Sequence, residues 1–262
     1  MIAYTFISGA TGGIGKAFSI ECAKKGYNLF LTGRNQEKLE KLKNELQKTS
    51  SANIDYFACD ISSVDSRNKM LEYIDEKGYL FDRIICVAGV DTQKPFLEYT
   101  REKVLFQTRV NVEGTIDLTY SLLNKRAKGL EILVVSSMSG VSPMPNFALY
   151  SATKSLLTSL FTALHYELKK EKIKVTVVLP GGVYTREDII VDIKGQGLWG
   201  KLSAKTPKFV ARRSLKALSK NKVKYIPGFF NKLLNFLMKI APKKIVLSFI
   251  ERRWRNNRKD AF

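Results

Sequence analysis

Short runs rich in apolar residues alternate with longer segments whose apolar residues recur at helical spacing. The runs lie at residues 3–7, 28–32, 55–61, 83–87, 131–136, 175–179 and 224–226. Each has the length of a strand, and the segments between them, such as 36–48 and 64–76, are long enough to be helices. This alternation is typical of βαβ units, whose parallel strands are buried between two layers of helices. We therefore predict an α/β fold with a doubly wound parallel sheet of the Rossmann type.

A different pattern begins after Pro227-Gly228. Apolar residues recur at helical spacing across residues 229–240 and again across 245–254, with lysine and arginine at many of the intervening positions. The pattern predicts two cationic amphipathic helices appended to the sheet. We therefore divide the chain into a main domain at residues 1–228 and a basic helical tail at residues 229–262.

The positive charge of the chain is concentrated near its C-terminal end. The chain carries a formal net charge of +20 at pH 7, and residues 201–262 hold 18 lysines and arginines against two acidic residues. Cationic amphipathic helices with aromatic side chains are typical of segments that lie on an anionic membrane surface. Two other interpretations stay open: the apolar face of the tail closes a pocket, or it packs against a partner subunit. No recognition motif accompanies the charge, so we expect no specific nucleic acid.

The cysteine pattern and the hydrophobic runs bear on where the protein works. The three cysteines show no C-x-x-C spacing, which argues against a disulfide framework and against a metal site, so we expect a cytoplasmic protein. We expect no signal peptide, because residues 2–7 already read as a strand. The uncharged run at residues 132–153 is not expected to span a membrane, because Gly140, Pro143 and Pro145 interrupt it. The tail would place the protein at a membrane surface if it binds lipid.

A glycine-rich turn separates the first predicted strand from the helix that follows it. The segment from Ser8 to Gly15 contains four glycines in seven residues. Such a turn lets backbone N–H groups approach a pyrophosphate at the N-terminus of the helix, where a Cβ would block the approach. We therefore predict a dinucleotide site whose contacts here are Gly9, Thr11, Gly13, Ile14 and Gly15.

The ends of the second and third predicted strands indicate which dinucleotide binds. The second strand ends in Gly33-Arg34, and no acidic residue occupies positions 33–36. An acidic residue here would bind a ribose 2′-hydroxyl, whereas arginine accommodates a 2′-phosphate. We therefore predict NADP(H) as the cofactor. Asp60, near the end of the third strand, is placed to accept a hydrogen bond from the adenine amino group.

Tyr150 and Lys154 form the candidate catalytic pair. Residues four apart on a helix lie on the same face, one turn apart. Because an ammonium group favours the phenolate, we expect Lys154 to lower the pKa of Tyr150 from about 10 and make it a general acid/base. Asn111 and Gly114 lie inside a helix predicted for residues 100–126, and both are poor helix formers. They therefore indicate a local break in that helix.

Taken in order, these motifs resemble those of the short-chain dehydrogenase/reductase family over residues 3–185. The residues that carry the resemblance are Gly9, Gly13, Gly15, Asp60, Ala88, Gly89, Asn111, Ser137, Tyr150, Lys154, Pro180, Gly181 and Thr185. The resemblance implies that Tyr150 donates its proton to a ketone oxygen and that Ser137 hydrogen-bonds the same oxygen. It also implies that Lys154 binds the nicotinamide ribose and that Asn111 holds a water molecule. Further implied cofactor contacts are Ile61, Ala88, Gly89, Pro180, Gly181, Val183 and Thr185.

One segment departs from the family pattern. The usual Asn-Asn-Ala-Gly reads Cys86-Val87-Ala88-Gly89 here, so the side-chain hydrogen bonds of the two asparagines are absent. We therefore expect the chain after the fourth strand to be less rigidly held. His165, the single histidine, is expected to have a packing role only.

The substrate end is predicted from the resemblance and from apolar side chains. Residues 186–206 would form a flap over the substrate, and Met144 and Phe147 would join it in a pocket for an apolar ketone, unless these side chains only pack the flap onto the body. We predict an enzyme that interconverts a ketone and a secondary alcohol, with a hydroxysteroid-type substrate. The alternatives are a 3-oxoacyl or sphingoid-type ketoreductase and a non-enzymatic NADP(H)-binding redox sensor. The resemblance also implies a homodimer or homotetramer.

Overall fold

The central sheet of the computed structural model, which describes residues 2–255 and 259–260, contains seven strands that all pair in parallel. The order is β3-β2-β1-β4-β5-β6-β7, so the winding direction reverses between β1 and β4 and opens a crevice at the carboxyl ends of these strands. The predicted doubly wound α/β fold is therefore confirmed. The strands are β1 Ala3–Ser8, β2 Asn28–Gly33, β3 Ile54–Ala58, β4 Leu80–Cys86, β5 Arg126–Val135, β6 Lys174–Val178 and β7 Lys224–Tyr225.

Helices cover both faces of the sheet, and the strands are apolar on both sides as a result. One core layer packs Phe6, Phe30 and Phe81 against one set of helices, and the other packs Ile7 and Leu31 against the opposite set. The helices of the main domain are α1 Gly13–Ala23, α2 Gln36–Gln47, α3 Val64–Glu76, α4 Arg101–Thr108, α5 Gly114–Leu123, α6 Ala148–Glu167, α7 Glu187–Gly195, α8 Gly197–Ser203 and α9 Pro207–Ser219.

The helix predicted for residues 100–126 is interrupted around Asn111, as the two poor helix formers indicated. The interruption is a π-helical turn over Arg109–Glu113 that joins α4 to α5, and such single turns are frequent at functional sites. Gly114 follows the turn because α5 passes so close to the loop after β3 that a Cβ at this position would lie 2.4 Å from the carbonyl oxygen of Ile61. The buried Arg67 fixes this arrangement by bonding to that carbonyl and to Glu113 and Asp117.

The two predicted tail helices are present, and they fold back over the main domain. They are α10 Phe229–Ile240 and α11 Lys243–Trp254. The buried Asn231 fixes the start of α10 by donating to the carbonyl oxygens of Ser203, at 2.8 Å, and Pro227, at 2.9 Å. Beyond α11, Lys259–Asp260 pairs antiparallel with Thr92–Gln93, and residues 256–258 and 261–262 of the predicted tail lie outside the described residues.

The segment predicted as a flap is helical. Residues 186–206 contain α7 and α8, and a bridge between Val183 and Lys205 closes the segment at its base. Among the residues that the structure describes, no helix is both long and apolar enough to cross a membrane.

Candidate active site

A cleft of about 1270 Å³ opens at the carboxyl ends of the strands, where the winding direction reverses. It begins at the turn after β1 and ends beneath the flap and the tail helices. All the predicted site residues except Asn111 line it: Gly9, Thr11, Gly13, Ile14, Gly15, Arg34, Asp60, Ile61, Ala88, Gly89, Ser137, Tyr150, Lys154, Pro180, Gly181, Val183 and Thr185. The fold therefore brings residues from six separate loops to one surface.

The glycine-rich turn after β1 has the geometry that a pyrophosphate requires. Gly9 has a φ of +63°, and a Cβ there would lie 2.9 Å from the backbone of Ala88, so only glycine fits. A Cβ at Gly13 would lie 2.8 Å from the side chain of Thr185. Gly12, the N-cap of α1, offers no side-chain cap and the first turn of α1 has no acidic residue. The N–H groups at this helix end are therefore free of side-chain partners, and they fit a dinucleotide's phosphates.

Basic side chains surround the far end of the cleft, where the adenosine half of a dinucleotide would lie. Arg34 follows β2 directly, and its guanidinium lies 5.8 Å from the centre of the Phe106 ring. Lys38 and Lys16 line the same part of the cleft, although neither was predicted. The backbone N–H of Lys38 donates to Asn35 Oδ1 at 2.8 Å, and this cap fixes the start of α2, from which Lys38 projects.

The chain after β4 is better held than its sequence suggests. The hydroxyl of Ser8 accepts hydrogen bonds from the N–H groups of Val87 and Ala88, at 3.1 and 3.3 Å. The amide of Asn111 accepts from the N–H of Val90 at 2.8 Å and donates to its carbonyl oxygen at 2.9 Å. Ser8 and Asn111 thus hold the backbone of this segment, although the two asparagines of the family pattern are absent.

Asn111 is a buried positioning residue beneath the cleft. Besides its bonds to Val90, its Nδ2 donates to Thr153 Oγ1 at 3.1 Å, which links the π-helical turn to α6. Both amide hydrogens are thereby used, and one lone pair of Oδ1 is left for a water molecule. A Cβ on Gly89 would lie 3.1 Å from Lys154 Nζ and 3.3 Å from Asn111 Oδ1, so a side chain here would crowd both groups.

Helix α6 presents Tyr150 and Lys154 to the cleft on one face, as predicted. The ring of Tyr150 stacks on that of Phe147 with 4.5 Å between ring centres. Lys154 Nζ lies 5.7 Å from the centre of the Tyr150 ring and donates to the carbonyl oxygen of Val135 at 3.0 Å. Lys154 is buried, so its ammonium group has little contact with water.

The electrostatics of this pair differ from the sequence expectation. Part of Tyr150 faces the cleft, but desolvation by the surrounding protein raises the pKa of its phenol, and the negative charge of Asp91 raises it further. A hydrogen bond with Ser137 acts in the opposite direction and lowers the pKa. Burial lowers the pKa of Lys154 to about 8, against a smaller raising effect of Asp91. The expected lowering of the Tyr150 pKa by Lys154 is therefore not seen, because burial disfavours both charged forms. At neutral pH Tyr150 carries its proton, which is the form that can donate to a ketone.

The tail helices cover the substrate end of the cleft. Val246 and Ile250 of α11 form a small apolar cluster with Met144 and Phe147, and Tyr150 packs against this cluster. The ring of Trp254 stacks on Phe147 with 6.5 Å between ring centres. Among the three interpretations of the tail, closure of the pocket is therefore the one that the described contacts support.

Asp91 and His165 complete the comparison with the sequence. Asp91 lines the cleft and acts on both members of the catalytic pair, and its only sequence signal was its position two residues after Gly89. His165 lies near the other end of α6, where it is buried and its Nδ1 lies 2.7 Å from the carbonyl oxygen of Val175. It packs α6 against β6, as expected.

Comparisons with known proteins agree on the type of protein. A model of the short chain dehydrogenase family matches residues 3–189. The chain is 33% identical to a very-long-chain 3-oxoacyl-CoA reductase of Laccaria bicolor over 66% of this chain and 52% of the relative. It is 31% identical to the 11-beta-hydroxysteroid dehydrogenase-like 2 protein of Arabidopsis thaliana over 68% of this chain and 58% of the relative. The chain thus spans little more than half the length of these relatives.

A solved 7beta-hydroxysteroid dehydrogenase structure has the same fold along nearly the whole chain. It superposes with a TM-score of 0.85 over 95% of this chain and 96% of the other, at 23% identity. At this identity the likeness extends to the fold, including the region of the tail helices.

The buried lysine predicts a pH dependence of stability. The pKa of Lys154 is about 8 in the folded protein against 10.5 for the free side chain. Between these pH values the unfolded state binds more protons, so stability rises with pH through this window. Replacing Lys154→Met removes the effect, and the wild type should gain roughly 3 kcal/mol over the variant as pH rises from below 8 to about 10.5.

Urea unfolding of both proteins without cofactor, at several pH values from 7 to 10.5, measures this difference. Lys128→Met, at an exposed lysine, is the matched control and should follow the wild type. Parallel pH profiles for the wild type and Lys154→Met would contradict the assignment.

Proposed function

The chain belongs to the short chain dehydrogenase family, and we propose that it catalyses the NADP(H)-dependent interconversion of a ketone and a secondary alcohol on an apolar substrate. The observation that carries the proposal is the placement of Ser137, Tyr150 and Lys154 together on the cleft floor, between the glycine-rich turn and an apolar roof. One part of the cleft thus suits a dinucleotide, the other suits an apolar body, and the proton donor lies between them.

The roles of the protein groups follow from their surroundings. A bound nicotinamide would supply or accept the hydride. Tyr150, protonated at neutral pH, donates its proton to the ketone oxygen, and the Ser137 hydroxyl bonds that oxygen and stabilises its developing charge. The Lys154 ammonium would stabilise the phenolate that remains and bind the ribose hydroxyls of the cofactor. Asn111 orients the site from below through Val90 and Thr153.

The preference for NADP(H) is supported by the basic side chains after β2. Arg34 and Lys38 both border the cleft and are exposed, so their charges are available to a 2′-phosphate. Guanidinium groups bind phosphate oxygens through paired N–H donors. No acidic residue stands at positions 33–36 to bind a 2′-hydroxyl in its place.

The substrate is proposed to be of the hydroxysteroid type. The roof of the pocket is built from aromatic and branched side chains of α11 together with Met144 and Phe147, which suits a broad apolar ring system. A 3-oxoacyl or sphingoid-type ketoreductase is the alternative, because the chain is as similar to a 3-oxoacyl-CoA reductase as to a hydroxysteroid dehydrogenase-like protein. A roofed substrate pocket is not needed by an NADP(H)-binding redox sensor, so we place that function last.

We also propose that the tail rests on an anionic membrane surface. Phe229, Leu233, Phe236 and Ile240 follow one another at helical spacing along α10, and all four are exposed. Ile245 and Phe249 of α11 are exposed as well. The high positive charge of residues 201–262 favours anionic headgroups around this apolar face.

A homodimer or homotetramer is the proposed assembly. Exposed apolar side chains on α5 and α6, namely Tyr120, Leu156 and Tyr166, support an interface between copies through these helices. The mass of the protein in solution, measured by light scattering, tests the proposal.

The activity itself is tested with NADPH and a panel of steroid ketones, long-chain 3-oxoacyl thioesters and small ketones. We expect turnover of an apolar ketone, and Tyr150→Phe should lower kcat by about 10³-fold while NADPH binding persists, because only the proton donor is lost. Tyr166→Phe, an exposed tyrosine on the same helix, is the control. Tight NADPH binding without turnover of any ketone would favour the sensor.

The cofactor preference is tested by Arg34→Asp. The change removes a phosphate partner and adds a carboxylate for a 2′-hydroxyl, so the ratio of kcat/KM for NADPH to that for NADH should fall about 10²-fold. Lys41→Asp makes the same charge change at an exposed position of α2 outside the cleft, and it should leave the ratio nearly unaltered. If both variants shift the ratio equally, the general field rather than Arg34 sets the preference.

Membrane contact is tested by sedimentation with vesicles of phosphatidylglycerol and phosphatidylcholine. We expect binding to anionic vesicles that weakens with salt, and Phe229→Ser combined with Phe236→Ser should reduce it about tenfold or more, because two exposed phenylalanines are lost. Leu97→Ser removes an exposed apolar side chain from the main domain and serves as the control. Equal binding of all three proteins would contradict the proposal.

A further inference from the structure

One arginine of the tail points into the apolar cleft. Val246, Ile250 and Arg253 are spaced four and three residues apart on α11, so they share one helix face, and all three line the cleft. The neighbouring Arg252 and Arg255 are exposed, whereas Arg253 is half-buried. The helix therefore sets one cation among the apolar side chains that cover the pocket.

The guanidinium of Arg253 lacks a full set of partners. Its Cζ lies 4.6 Å from the centre of the Trp199 ring, and Nη2 donates to Gln196 Oε1 at 3.4 Å, a long hydrogen bond. Its Nε is buried and has no hydrogen-bond partner among the described residues. Asp192 of α7 also borders the cleft, at an exposed position.

The charge of Arg253 is not compensated within the described structure. Burial lowers the pKa of its guanidinium, and no carboxylate acts to raise it. A half-buried cation with one buried, unpaired donor is unfavourable, and an anion that pairs with it reduces the cost. Nη1 and Nη2 form the outer edge of the guanidinium, where Nη2 makes the long hydrogen bond to Gln196, and this edge matches the two oxygens of a carboxylate.

We propose that Arg253 binds a carboxylate at the end of the substrate remote from the ketone, so that the substrate is an amphipathic oxo acid. The inference rests on the proposed function and names its substrate class. The rings of Tyr150, Phe147 and Trp254 stack in a row. The row begins at the proton donor, Tyr150, and ends at Trp254, which follows Arg253 in the chain. The apolar body of the substrate would lie along this row, with its ketone at Tyr150 and its carboxylate at Arg253.

Matched ligands that differ only in charge test the proposal. With NADPH as the reductant, kcat/KM is measured for a ketosteroid carboxylic acid and for its methyl ester. The same pair of measurements is made for a long-chain oxo acid and its methyl ester. In the wild type we expect kcat/KM for the acid to exceed that for its ester by about tenfold or more in at least one pair, because a hydrogen bond between charged groups contributes about this much. In Arg253→Gln the ratio of kcat/KM for acid to ester should fall to about one. In Arg253→Lys the ratio should be intermediate, because the positive charge remains but the paired N–H donors of the guanidinium are lost.

Arg252→Gln removes the same charge from the neighbouring exposed position and should keep the wild-type ratio. If Arg253→Gln does not fold, Arg253→Lys still carries the test. Because Trp199 lies under the guanidinium, quenching of tryptophan fluorescence on titration with acid or ester reports binding without turnover.

The outcomes distinguish a failure of the carboxylate site from a failure of the proposed ketone reduction. Equal kcat/KM for acid and ester in the wild type would overturn the carboxylate site and leave the ketone reductase intact. Absence of turnover, with tighter binding of the acid that depends on Arg253, would support the site and count against the proposed reaction. A loss in Arg253→Gln confined to a 3-oxoacyl coenzyme A thioester would assign the anion as phosphate and overturn the carboxylate assignment.

Discussion

The close approach of α6 to the carboxyl edge of the sheet is the constraint on which the candidate site depends. A Cβ on Gly140 would lie 2.7 Å from the backbone of Lys154, so no larger residue fits beneath the helix at this point. Ser136 Oγ bonds the carbonyl oxygen of Lys154 at 2.8 Å from the same side. This packing puts the side chain of Lys154 under the sheet edge, where its ammonium reaches the carbonyl oxygen of Val135 and few other groups.

Burial at this point sets the protonation of the site. A lysine with one backbone partner favours its neutral form more than a solvated lysine does, and a phenol beside it keeps its proton. The charge of a bound cofactor and of the reacting oxygen would then act on a phenol that keeps its proton and on a lysine whose pKa is lowered to about 8. The same burial is unfavourable for folding, as is common where a site is built for chemistry rather than stability. Asp91, at the cleft edge, is the described carboxylate that acts on both groups.

The sequence predicted those features that local rules decide. Strand and helix periods identified the sheet, and the glycine turn after β1 identified the dinucleotide end, because both depend on residues close in the chain. It did not predict the direction of the Tyr150 pKa shift, since helical spacing places Lys154 nearby but does not reveal how deeply the pair is buried. It also missed Arg253, because Trp199, on which the guanidinium lies, is far away in the sequence and only the folded chain brings the two together. Lys38 was missed although it is only four residues from Arg34, because a lysine on a charged helix carries no signal that separates a cleft position from a solvated one.

The tail shows why amphipathic patterns alone leave a function open. Helix α10 is apolar on more than one face: Leu234 and Met238 line the cleft, while Phe229, Phe236 and Ile240 are exposed. A helix that only closed a pocket would need the first set and not the second, and a helix that only lay on lipid would need the second and not the first. Carrying both, α10 separates the substrate pocket from the exposed apolar face by the width of a single helix. Closure of the pocket and contact with a membrane are therefore compatible roles of one element, and a substrate that is itself partly apolar would have only a short distance to travel between them.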